Sequence, residues 1–132
     1  MSNWFAVRYT SDRSQSKSYI YLNVRSREEA QATFCRRNGE KNISVIDIIP
    51  VNNTLIYARE FELRDRLGSA VRTRHNESLY SIIDELTTII GIYDVINGDD
   101  RFAKRLLTAG LRALGHDVMA PPLDRIPDEL AH

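Results

Sequence analysis

From residue 4 to residue 10 the chain alternates, with Phe5, Val7 and Tyr9 on one side and Trp4, Ala6 and Arg8 on the other, the period-two pattern of a half-buried strand. Residues 18–24 repeat it: Ile20, Leu22 and Val24 oppose Tyr19, Tyr21 and Asn23. A polar loop over 11–18, carrying Arg13 and Lys17, would join the two as a hairpin, and its length excludes a two-residue turn. Ser26 then offers an N-cap hydroxyl, and Glu29 three residues on can reach back to the cap amide, so a helix starts here through a capping box. Ala30, Thr33 and Phe34 follow at helical spacing and face the sheet, with Cys35 beside them as a small buried hydrophobe. Arg36 and Arg37 fall in the last turn, where the helix dipole favours cations, and Asn38-Gly39 predicts a left-handed ending. Residues 43–49 are apolar on both sides except Ser44 and Asp47, which predicts a central strand stopped by Pro50.

After Pro50 the run VNNT reads as a turn. Residues 55–63 alternate again, Leu55, Tyr57, Arg59, Phe61 and Leu63 against Ile56, Ala58, Glu60 and Glu62, which predicts a fourth strand. Residues 64–77 form a basic connecting segment with a Gly68-Ser69 turn. From 78 to 96, Leu79, Ile82, Ile83, Leu86, Ile89, Ile90 and Tyr93 recur at threes and fours, the signature of a helix closed by Asn97-Gly98. Asp99-Asp100 caps a further helix over 101–115, and a proline-broken tail, 116–132, would run extended and dock Val118, Leu123 and Ile126. The predicted fold is α+β: a small antiparallel-rich sheet of about four strands, one helix between strands two and three, then a C-terminal αα-hairpin. One domain over 1–132 is expected, divided into a ββαββ unit (1–63), the connecting segment, the hairpin (78–115) and the tail.

The 132 residues include 42% hydrophobic side chains, enough for a core, and 18 basic residues cancel 18 acidic ones. Any electropositive site must therefore be local, and zero net charge counts against, without excluding, a nucleic-acid-binding accessory role. Cys35 is the single cysteine, so no disulfide framework or Cys/His zinc site is expected, and a reducing cytoplasm is the expected setting. No stretch is long and apolar enough to predict a membrane span. His75, His116 and His132 lack motif spacing, no phosphate-binding glycine loop is present, and the carboxylate pairs Asp84-Glu85 and Asp99-Asp100 are explained by a polar helix face and a cap. No catalytic residue, metal ligand or cofactor site can be named, and a non-enzyme is expected.

The positive signal is arginine placement. On the last helix Arg101, Arg105, Thr108 and Arg112 share a narrow sector at 100° per residue, opposite Phe102, Ala103, Leu106, Leu107, Gly110 and Leu114. Such a stripe is either a solvated face or a phosphate-binding one, and the arginine fork suits phosphate. A second cluster, Arg36, Arg37 and Gly39 with Lys41, sits at a helix-to-strand turn, although dipole and cap already explain its members. The wide apolar face of 78–96 exceeds what one sheet face needs and predicts a homo-oligomer, or a protein-protein interaction module.

The element order resembles that of small proteins of phages and mobile elements. It comprises the strand WFAVRYTSD, a second strand, the helix SREEAQATF, the strand ISVIDIIPV, another strand and two arginine-bearing C-terminal helices. Among these it is most similar to the phage Thoeris anti-defence sponges. That resemblance implies a non-enzymatic, oligomeric protein that sequesters a cyclic nucleotide immune signal, such as glycocyclic ADP-ribose or a cyclic oligonucleotide. The carriers it implies are Arg101, Arg105, Arg112 and Asn97, with Arg36, Arg37 and Gly39.

Overall fold

The computed structural model describes residues 2–11, 14–39 and 42–115 and divides the chain into two compact units, Met1–Asn52 and Asn53–His132. The fold is α+β, with a three-stranded antiparallel sheet and four helices. Expectations for Arg13, Lys41, His116, His132 and the tail at 116–132 fall outside the described residues.

In the first unit, β1 (Asn3–Ser11) lies between β2 (Ser14–Val24) and β3 (Ile43–Pro50), with α1 (Arg27–Asn38) connecting β2 to β3. The period-two reading fixes the register: Phe5 pairs with Leu22 and Val7 with Ile20. One face of the sheet thus collects Phe5, Val7, Leu22 and Val24 beneath Ala30 and Phe34 of α1. β2 begins at Ser14, so most of the segment expected as a loop is strand; pairing with β1 continues beyond a register shift between Tyr9 and Ser11. β3 is an edge, not the expected central strand. Its extra apolar positions, Val45 and Ile46, are exposed at an irregularity where Arg8 and Tyr9 pair with Asp47 and Val45, which is where a bulge turns a strand's side chains outward.

On the opposite face Arg8 donates through Nε to Asp47 Oδ1 at 2.6 Å and also binds Oδ2 through Nη2. This pairing raises the Arg8 pKa and lowers that of Asp47. Tyr19, the cross-strand neighbour of Arg8, presents its ring 6.0 Å from the guanidinium carbon. On α1 Ser26 caps as expected, its Oγ accepting from Glu29 N–H at 3.1 Å, but Glu29 reaches back to the Arg25 amide (2.9 Å), one residue before the cap. Gly39 is right-handed, with φ −63°, while the Asn38 amide donates to the Phe34 carbonyl at 3.1 Å. The expected left-handed ending is therefore absent there, because a side chain satisfies a terminal carbonyl instead. Cys35 is exposed: it follows Phe34 by 100° and is turned off the sheet, so the expectation that it is buried was wrong.

The second unit is helical: α2 (Asn53–Thr73), α3 (Asn76–Ile96) and α4 (Arg101–Ala113). The expected fourth strand at 55–63 and the connecting segment to residue 73 are one helix, so the expected αα-hairpin has a third helical neighbour. Ile56, Arg59, Glu60, Leu63, Leu67 and Ala70 are buried at helical spacing. A strand would have put Arg59, Leu63 and Leu67 on one side and Ile56, Glu60 and Ala70 on the other, whereas the helix gathers all of them on one face with good helix formers between. Gly68 is accommodated inside that helix. α3 and α4 match the expected periodicity. Gly110 of α4 permits close approach, since a Cβ there would stand 3.1 Å from Ile83 Cγ1 and 3.6 Å from Leu67 Cδ1. The wide face of α3 is largely consumed within the unit, where Leu79, Ile82, Leu86, Ile89 and Ile92 are buried, while Tyr80 and Val95 remain exposed. Among the described residues no helix is long and apolar enough to cross a membrane.

Candidate functional site

The candidate site lies where α2, the end of α3 and the start of α4 meet. Asn97 closes α3 in the left-handed conformation (φ 54°), with its own N–H and that of Gly98 directed to the Tyr93 carbonyl. Left-handed backbone suits asparagine. Gly98 must be glycine, because a Cβ would fall 2.1 Å from the Tyr93 ring and 2.7 Å from Asn53 Oδ1. Asp100 is the N-cap residue of α4 but makes no side-chain cap bond; Asp99 supplies it, its Oδ1 accepting the Arg101 N–H at 3.1 Å while its carboxylate holds the Arg101 guanidinium at 2.8 to 3.2 Å. Those bonds draw the Asp99 pKa down to about 2 and raise that of Arg101. Asp100 instead pairs with Lys104 across one turn.

Arg101, Arg105 and Arg112 all lie on α4, and they differ. Arg101 and Arg112 are exposed, while Arg105 is half-buried with its Nε buried and without a hydrogen-bond partner among the described residues. Thr108, in the same sector, is buried and donates to the Lys104 carbonyl at 3.0 Å. The stripe is therefore not a uniformly solvated face. Arg36, Arg37 and Gly39 belong to the other unit; Arg36 donates to Thr33 Oγ1 at 3.3 Å and Arg37 is exposed.

Sequence reasoning missed an aromatic ridge on α2. Tyr57 and Phe61 stand one turn apart on α2 and are 39% and 55% exposed. Phe61 meets the Phe102 ring of α4 at 5.7 Å, and the Arg64 guanidinium carbon lies 5.3 Å from the Phe61 ring centre. The signal was present as Tyr57, Phe61 and Arg64 at spacings of four and three, but it is visible only if residues 55–63 are read as helix. Beneath this face two carboxylates are withdrawn from water. Glu85 accepts two hydrogen bonds from Arg59. Glu60, 4% exposed, accepts the Tyr93 hydroxyl, and burial raises its pKa to about 7 against the lowering effect of that hydrogen bond, with the charge of Asp99 adding to the rise. Burial, then the Glu60 contact, raises the Tyr93 pKa as well.

Arg64 thus sets its guanidinium against the Phe61 ring on the α2 face that meets α4 through Phe102, an arrangement suited to planar, anionic ligands. His75, the one histidine described, caps α3 through Nδ1, which accepts the Ser78 N–H at 3.2 Å. Among the described residues no group of three His, Cys, Asp or Glu side chains could hold a metal ion. Comparison with protein families, curated proteins and solved structures finds no match to this chain.

Proposed function

We propose that the protein binds a cyclic nucleotide signal, such as glycocyclic ADP-ribose or a cyclic oligonucleotide, and sequesters it without cleavage, the role implied by the sequence's resemblance to phage anti-defence sponges, although the strand expected at 55–63 in that element order is helix. Its setting is the host cytoplasm and its working form a homo-oligomer. The observation that carries this reading is Arg105, whose buried Nε has no acceptor among the described residues. A buried donor left unsatisfied costs roughly 1–3 kcal/mol, and a ligand phosphate oxygen would remove that cost. Arg101 and Arg112 extend the same sector, Asn97 closes the preceding helix, and Phe61 and Tyr57 offer ring faces to a base. Arg36, Arg37 and Gly39 are secondary candidates in the other unit.

A protein-protein interaction module is the second reading. The exposed Tyr57, Phe61, Tyr80 and Val95 favour it, since aromatic residues and arginine are enriched in interface hot spots. Calorimetry on the wild type and on Arg101→Ala, Arg105→Ala and Arg112→Ala, with cyclic ADP-ribose isomers and cyclic di- and trinucleotides, separates the two. A tenfold to hundredfold loss in the variants is expected for charge-assisted contacts of about 1.5–3 kcal/mol. Equal affinities in all four proteins would remove the stripe from the mechanism, and a wild type that binds none of these ligands would overturn the reading. Ligand recovered chemically altered would indicate an enzyme. Light scattering at micromolar concentration tests the oligomer, and a mass near 15.2 kDa would exclude it.

A further inference from the structure

Tyr93 ties the α3–α4 corner together in three ways. Its carbonyl accepts the N–H groups of Asn97 and Gly98, its ring fills the space that a Cβ at Gly98 would need, and its hydroxyl donates to Glu60. Tyr57 packs on the same ring at 5.9 Å. Glu60 is thus the floor on which the corner rests. It is a buried carboxyl with no cation in hydrogen-bond or ion-pair contact among the described residues, because Arg59, its neighbour on α2, is directed to Glu85 and Glu62. The charged and titratable groups around it are Tyr57 and Arg59 on α2, Tyr93 and Glu85 on α3, Asp99 in the corner, and Arg101 and Arg105 of α4, which act on Asp99.

We propose that Glu60 and Tyr93 form a proton-dependent latch on the corner at residues 97–101: the protonated carboxyl holds it closed, and ionisation releases it together with the start of α4. A carboxylate in that site has the Tyr93 hydroxyl as donor but no counter-charge, and burial disfavours it more than that bond helps, so ionisation favours any opening that brings water to it. The released element carries Asp99 and Arg101. The consequence for ligand affinity therefore rests on the function proposed above, whereas the latch does not.

Amide hydrogen exchange by NMR between pH 6 and 8, on the wild type and Glu60→Gln, tests it. The reporters are the bonded amides of Asn97, Gly98 and Lys104, with Leu86 and Ile89 at the centre of α3 as the global reference. For a carboxyl that titrates near 7 when closed and 4.5 when open, the opening constant of the corner should rise about tenfold over this range, after correction for base-catalysed exchange. Corner amides should exchange faster than the α3 reference and carry this slope, and Glu60→Gln, a neutral mimic, should abolish the slope. Should that variant fail to fold, the carbon-13 shift of the wild-type Glu60 carboxyl is read beside the wild-type slope: titration near pH 7 together with the slope in the corner amides supports the latch, and titration near 4.5 overturns it. Corner amides without the slope, with the same slope in Glu60→Gln, or as protected as the α3 reference would also overturn it. None of these outcomes depends on finding a ligand, so failure of the latch and failure of the proposed function are distinguishable.

Discussion

Arg59 and Glu85 meet through two hydrogen bonds, Nε to Oε2 at 2.6 Å and Nη2 to Oε1 at 2.9 Å, and join α2 to α3 at a depth where the arginine is 2% exposed. The pair fixes which face of α2 turns inward, since a buried guanidinium without its carboxylate is far costlier than the pair itself. Arg59→Met should therefore destabilise the protein by roughly 3–5 kcal/mol, because Glu85 loses both guanidinium hydrogen bonds, and Arg59→Met with Glu85→Leu should recover most of that loss. Urea unfolding followed by circular dichroism measures both. A single variant within about 1 kcal/mol of the wild type would show that the pair is not the determinant.

Glu60 makes stability pH-dependent in an unusual direction. Its folded pKa, about 7, lies above the ordinary 4.5, so the folded protein holds a proton that the unfolded chain gives up. That contribution is fully present below pH 4.5, falls as pH rises towards 7, and changes little above it. The total is on the order of 3 kcal/mol for such a displacement. Glu60→Gln should remove this component, so urea midpoints of the wild type and the variant should diverge between pH 5 and 8. Parallel curves would mean that Glu60 titrates normally.

Elements whose signals are local were legible in the sequence. The strands at 4–10 and 18–24, the Ser26 cap and the Asn97 closure of α3 each depend on neighbours within a few residues. α2 was not legible at its start, because nine residues from Leu55 to Leu63 satisfy a period of two as readily as a helical one. Leu67 and Ala70, which decide between the periods, lie beyond a Gly68-Ser69 pair that reads as a turn. From that single error followed the fourth strand, the connecting segment and the loss of the aromatic ridge. The arginine sector of α4 was legible as a sector. That Arg105 is half-buried and Arg101 held by Asp99 was not, because both depend on how the corner packs.

Arg74, between α2 and α3, has φ 53°. It closes α2 with its N–H on the Val71 carbonyl (3.3 Å) and the following His75 N–H on the Ala70 carbonyl (3.0 Å), the paired bonds of a helix ending that normally takes glycine. Its exposed side chain bears the left-handed penalty of about 1–2 kcal/mol, only part of which a more flexible unfolded chain would offset after substitution. Arg74→Gly should accordingly stabilise by about 0.5–1 kcal/mol. Thermal unfolding measures it; a lower melting temperature would mean that the Arg74 side chain makes a contact worth more than the strain.

Arg105→Met separates a structural arginine from a functional one. Methionine matches the unbranched stem and fills a similar space without presenting a donor. Were Arg105 held for stability, its removal would cost about 1 kcal/mol or more, like most half-buried substitutions. Because its Nε is buried with no acceptor among the described residues, the substitution should instead be neutral or stabilise by up to about 2 kcal/mol, since an unsatisfied donor is relieved. On the function proposed above, Arg105 meets a ligand acceptor, so the same variant should lose affinity for cyclic nucleotides by at least about tenfold. Urea unfolding and calorimetry on one preparation give both values. Stability raised with binding lost is the expected outcome; stability lowered would assign Arg105 to the packing of α4, and binding retained would place the ligand elsewhere.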